Sequence, residues 1–90
     1  MKPQGYSIKD LEVLSGIKAH TIRIWEKRYN LFEPNRTDSN IRYYDINSLQ
    51  KILNISLLNN NGLKISKIAA LSQKGIEQQI KELILKESQL

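Results

Sequence analysis

Apolar residues recur at helical spacing along most of this chain, and one central stretch breaks the pattern. Ile8, Leu11 and Leu14 share one helical face. Ser7 stands before them as an N-cap with Asp10 three residues on, a short capping box, so a first helix is predicted from Ile8 to Ser15. Gly16 can take a left-handed conformation and Ile17 supplies an apolar plug, after which a second helix is predicted from Lys18 to Tyr29. Within it Ile22, Trp25 and Tyr29 fall on one face, while Ala19, Arg23 and Lys27 fall on another with His20 beside them. One side packs and the other is free to meet something acidic. Two helices joined by so short a glycine turn suit a helix-turn-helix.

From Asn30 the helical period is lost: Leu31 to Asn40 is rich in turn formers, and Ile41-Arg42-Tyr43-Tyr44 has strong β propensity. Two brief strands joined by a loop near Thr37 to Asn40 are predicted, forming a wing over 33–44. Asp45 is a good N-cap for a third helix, in which Ile46, Leu49, Ile52, Leu53, Ser56 and Leu57 fall on one face until Asn59-Asn60-Asn61-Gly62 stops it. Ile65, Ile68, Ala69 and Leu71 fit a short fourth helix. Gly75 separates it from a last helix over Ile76 to Ser88, striped by Ile76, Ile80, Leu83 and Ile84. The expected organisation is a winged domain over 1–75 and, over 76–90, a C-terminal helix that is a linker or the start of an effector or dimerisation region.

Composition narrows the chemistry. Ninety residues, 40% of them hydrophobic, suit one small core and no catalytic cleft between lobes. Fourteen Lys and Arg against nine Asp and Glu give a net charge of +5. With a pI near 9.6, the expected partners are polyanions. The absence of cysteine excludes a disulfide framework, and with a single histidine it very nearly excludes a multi-ligand zinc site. No apolar run reaches the roughly 18 residues of a membrane span, and Met1 to Gly5 lead into a polar helix rather than a signal-peptide core, so a cytoplasmic setting is expected. Asp10, Glu12, Glu26 and Asp45 sit where helix caps and exposed faces call for acids, and no nucleophile with a neighbouring base can be assembled, so an enzyme is not expected.

The candidate interface residues are Lys18, Ala19, His20, Arg23 and Lys27 on the second helix, and Arg36, Arg42, Tyr43 and Tyr44 on the wing. Cations that neutralise DNA phosphates release counterions and dominate affinity. Arg23, central on the basic face, is the candidate for bidentate contact with a guanine edge, the alternative being phosphate contact only. One of the two tyrosines is expected to cover the core, and the arginines to be free. Two other readings stand beside sequence-specific DNA binding. One is a protein-interaction module whose basic helix docks an acidic antirepressor or polymerase subunit; the other is an excisionase-like architectural protein that bends DNA. Cations spread over a helix and a hairpin fit a membrane surface poorly.

Taken in order, Ser7-Ile8-Lys9-Asp10-Leu11, the turn Ser15-Gly16-Ile17, the run H-T-I-R-I-W-E-K-R-Y from His20 to Tyr29, Pro34, Arg36, Ile41-Arg42-Tyr43-Tyr44 and the acidic cap before Leu49 resemble a known family. It is the mercury-resistance regulator (MerR) family, whose winged-helix DNA-binding domain is matched over about Tyr6 to Leu71. The resemblance implies a mainly α winged helix-turn-helix with a short β-hairpin wing and additional C-terminal helices. It further implies a helix after the turn in the major groove, a wing along the backbone, and a homo-oligomer reading a palindromic operator in double-stranded DNA. Arg23 matches the arginine of the family's T-L-R pattern, and Arg42 and Tyr44 match its R-x-Y wing signature; Lys18, His20 and Lys27 have no equally firm motif behind them. The chain departs from the pattern at Ile41, where an aromatic is common, and at Lys64, where a capping serine is common.

The form Trp25-Glu26-Lys27-Arg28-Tyr29 is similar to the W-E-R-R-Y variant of regulators with a cobalamin-binding domain after the DNA-binding one, among them light-responsive repressors of carotenoid genes. That resemblance implies repression, and places cobalamin outside these 90 residues, with no cofactor held by this chain.

Overall fold

The computed structural model describes residues 5–88; Met1 to Gln4, part of the expected lead into the first helix, lie outside the described residues. The elements in order are α1 (Ile8–Ser15), α2 (Ala19–Tyr29), β1 (Asn35–Arg36), β2 (Arg42–Tyr43), α3 (Ile46–Asn60), α4 (Ile65–Ala69) and α5 (Gln73–Glu87). A mainly α chain with a small antiparallel hairpin is the expected winged helix-turn-helix class. Two compact units are present, one ending at Leu53 and one beginning at Asn54.

In the first unit, α1 starts on the reciprocal capping box. The Ser7 N–H donates to Asp10 Oδ2 at 2.9 Å, and the Asp10 N–H donates to Ser7 Oγ at 3.0 Å. The helix stops at Gly16, whose φ of 79° is the left-handed value that glycine adopts without a Cβ penalty. Its N–H donates to the Glu12 carbonyl at 2.8 Å, and α2 then packs against α1. Asn30 closes α2 in the same left-handed region, at φ 53°, a conformation that Asn tolerates better than most residues.

The hairpin pairs Asn35 with Tyr43 and Arg36 with Arg42. Its turn is held by the Asn40 N–H on the Thr37 carbonyl at 2.8 Å and by the Ile41 N–H on Thr37 Oγ1 at 3.1 Å. Just past β2, Tyr44 forms an antiparallel bridge with Tyr6, their N–H groups donating to each other's carbonyls at 2.7 and 2.8 Å. Gly5, at φ 119°, passes so close to the Tyr44 carbonyl that a Cβ there would collide with it. The buried residues of this unit are Leu11, Ile22, Trp25, Leu31, Phe32, Tyr44, Leu49 and Ile52, so the stretch after α2 that lost its helical period contributes two core side chains.

The second unit begins within α3. That helix ends as the asparagine run predicted, in a closing pattern where the Leu63 N–H reaches the Leu58 carbonyl and the Gly62 N–H the Asn59 carbonyl, both at 3.1 Å. The Asn61 and Asn59 amides donate to the carbonyls of Leu57 and Leu63 at 2.8 and 3.0 Å, satisfying acceptors that a helix end leaves open. Lys64 precedes α4 without a side-chain cap. The fifth helix starts earlier than predicted, because the Ser72 hydroxyl accepts the Gly75 N–H at 3.1 Å and so makes Ser72 the N-cap. Gly75 therefore lies inside α5, and residues 75 and 76, between which the expected division falls, are both helical.

Burial along α3 also differs from the expected stripe. Ile55 and Leu58 are buried together with Leu49, Ile52 and Ser56, whereas Ile46, Leu53 and Leu57 are exposed. On α5, Ile76 is buried, Ile80 and Leu83 are half-buried, and Ile84 and Leu85 are exposed. Among the described residues no helix is long and apolar enough to cross a membrane.

Candidate nucleic-acid interface

The start of α2 is fixed from outside the helix. Lys18 is its N-cap and, having no acceptor in its side chain, makes no capping bond; the Glu12 carboxylate of α1 instead accepts the Ala19 N–H at 2.7 Å. A carboxylate at this end also complements the helix dipole. The contact joins the two helices of the turn motif and orients α2. Lys18, His20, Arg23 and Lys27 are then exposed along it, while Ala19 is half-buried. Since Glu12 occupies the Ala19 amide, only the methyl of that candidate residue is left to touch a partner.

Between α2 and the hairpin lies an open cleft of about 620 Å³, lined by Arg23, Glu26, Lys27, Asn30, Phe32, Glu33, Pro34 and Arg42. Arg23 and Lys27, one helical turn apart, thus meet Arg42 from the second strand around one space. Lys18, Ala19, His20, Arg36, Tyr43 and Tyr44 do not line it. Arg36 is exposed on β1 and donates to the Asn40 carbonyl at 3.2 Å, and Tyr43 is half-buried.

Two expectations about the wing are corrected here. Tyr44 is 0% exposed, and its phenol donates to Glu26 Oε1 at 2.5 Å, so it is a core residue rather than one presented to a ligand. Burial first, and the Glu26 carboxylate second, push its phenol well above the ordinary range. The expectation that one of two tyrosines covers the core is met by Tyr44. The arginines, however, are not free: Arg42 Nη1 lies 3.5 Å from Glu26 Oε2, and Arg36 is held to the turn. Residues 42 and 44 stand two apart on an extended segment, so both side chains point to one face, where Glu26 receives them.

Glu26 and Glu12, which the sequence places among ordinary acids, hold the elements of the candidate interface together. A signal for Glu26 was present: it follows Ile22 by four residues, which places an acid on the side of the helix that packs and calls for a buried partner. Glu12 gave none, because its acceptor role depends on how the turn folds back. Among the described residues no group of three or more His, Cys, Asp or Glu gathers in a metal-holding arrangement, and His20 is exposed on α2.

Residues 6–74 match the family described as MerR HTH family regulatory protein. The HTH-type transcriptional regulator MlrA of Escherichia coli strain K12 is 33% identical over 66 residues, 73% of this chain and 27% of MlrA. MlrA of Salmonella typhimurium strain LT2 gives the same values. The HTH-type transcriptional repressor CarH of Myxococcus xanthus is 31% identical over 71 residues, 79% of this chain and 24% of CarH. The matched stretch spans about a quarter of each of these relatives.

Proposed function

This chain belongs to the MerR family of helix-turn-helix regulatory proteins, and we propose that it is the DNA-binding part of a transcriptional repressor acting on double-stranded DNA in the cytoplasm. In this reading α2 enters the major groove of a palindromic operator and the hairpin runs along the backbone, with two copies of the full protein engaging the two half-sites. The observation that carries it is the convergence of Arg23, Lys27 and Arg42 around one open cleft between the helix and the hairpin.

A cation from each element at a single space suits a sugar-phosphate backbone crossing between them. In this reading His20 and Arg23, exposed toward the start and middle of α2, reach base edges, and Lys18, Lys27, Arg36 and Tyr43 reach phosphates. Repression rather than activation is supported by the likeness to CarH, which is named as a repressor. Dimerisation and effector response are assigned to residues 76–90 and to sequence outside this stretch, in keeping with relatives about three times the length of this chain.

The test is selection of duplexes from a random-sequence pool by the 90-residue chain, followed by affinity measurements across a salt series. Enrichment of one half-site, with a steep fall of log K against log salt of about −0.9 per phosphate neutralised, is the expected result. No enriched sequence, or binding only to an acidic protein, overturns it.

A further inference from the structure

We infer that Glu26 is a positioning residue: anchored by Tyr44, it aims the Arg42 guanidinium at the DNA backbone. The inference rests on the DNA-binding reading above. An acid among the cations of an anion-binding cleft is a paradox if it merely subtracts charge. Its contacts resolve the paradox. The Glu26 side chain is 10% exposed and that of Arg42 is 35% exposed, so of the pair the guanidinium is the one more open to a partner. One carboxylate oxygen takes the short bond from the buried Tyr44 phenol, and the other faces Arg42 at 3.5 Å.

A guanidinium has five N–H donors, so one edge can face Glu26 while the other remains for a phosphate oxygen. The 3.5 Å contact is long for a charge-assisted bond, which suits steering better than sequestration. Without it, Arg42 is a long side chain on a two-residue strand, with rotamer freedom to lose on binding. Glu26 and Tyr44 thus act on DNA through Arg42 and need not touch it. The R-x-Y spacing acquires a mechanical meaning: one residue makes the contact and the other holds the acid that directs it.

The test compares the wild-type 90-residue chain, Glu26→Gln, Arg42→Ala and the double variant on the duplex that the wild type enriches from a random pool. Glutamine retains an oxygen to accept from Tyr44 and removes only the charge, and a thermal melt by circular dichroism verifies folding. Glu26→Gln is expected to weaken binding about three- to tenfold and to add nothing in the Arg42→Ala background, because it acts through that residue. A purely structural role would weaken both backgrounds alike. If Glu26→Gln binds as tightly as the wild type or more tightly, or if the two losses add, the positioning role is overturned while DNA binding stands. If the wild type enriches no duplex, the DNA-binding reading fails first and this inference with it. Should Glu26→Gln not fold, Tyr44→Phe is measured in the same cycle, with the same non-additivity expected and additivity again overturning the role.

Discussion

The phenol of Tyr44 donates to Glu26 Oε1 at 2.5 Å, joining the end of the wing to the packed side of α2. The acceptor is a little-exposed side-chain carboxyl oxygen and the bond is short, which puts it among the strong ones. Tyr44→Phe keeps the ring and deletes only the donor, leaving a nearly buried carboxylate with the longer Arg42 contact alone. A loss of about 1.5–3 kcal/mol is expected, read as a lower urea midpoint at unchanged slope.

Alkaline titration probes the same bond. Tyr44 holds its proton in the folded chain above the ordinary phenol value of 10.0, whereas the unfolded chain gives it up there. The native state then binds more protons than the unfolded one, so this contribution is whole below pH 10.0 and is lost as pH rises above it. Urea midpoints measured upward from neutral pH should fall in the alkaline range, and less steeply for Tyr44→Phe.

Glu12 caps a helix to which it does not belong. Glu12→Ala strips the Ala19 N–H of its acceptor and the helix end of its negative charge, and should destabilise the chain by about 1 kcal/mol. Because the contact also sets the angle between α1 and α2, DNA affinity measured on the folded variant should fall as well.

Trp25 is 8% exposed on α2, among the buried residues of the first unit. Trp25→Ala should cost about 3–5 kcal/mol in chemical denaturation. An unchanged midpoint would contradict this packing.

Arg23 is exposed, lines the cleft and makes no hydrogen bond or ion pair among the described residues, so its removal should spare stability and strike binding. Arg23→Ala is expected to reduce discrimination at one base pair by about 1–3 kcal/mol. Selection from a random pool measures this directly: preference relaxed at one position indicates base contact, and equal losses on every duplex indicate phosphate contact alone.

The elements that local chemistry determines were legible in the chain. Ser7 with Asp10 predicted the start of α1, Gly16 its end, Asp45 the start of α3 and the asparagine run its stop, each through a cap whose donors and acceptors are neighbours in sequence. What was not legible depends on contacts between distant residues. The α3 sequence has apolar residues at Ile46, Leu49, Ile52, Leu53, Ile55, Leu57 and Leu58, nearly all round the helix, so periodicity cannot choose the inward face. Gly75 read as a break, yet Ser72 three residues earlier outweighs it as a cap. The same limit applied at the candidate interface. Exposed cations on α2 followed from helical spacing, whereas the burial of Tyr44 and the pairing of Arg42 required Glu26 to be brought across from another element.

The bridge between Tyr6 and Tyr44 bears on how the wing is assembled. The α1–α2 pair and the hairpin are each local in sequence and can form early, but this bridge closes a loop spanning almost half the chain, an event that carries a larger entropic penalty and comes later. The end of β2 is thus clasped by Tyr6, which precedes both helices in sequence, so the clasp is expected to open while they remain intact. Such a segment opens as a sub-global unit with its own free energy, below that of complete unfolding. Amide exchange at Tyr6 and Tyr44 would then report on a wing that loosens before α1 and α2 melt, making the hairpin the part of the first unit that gives way first.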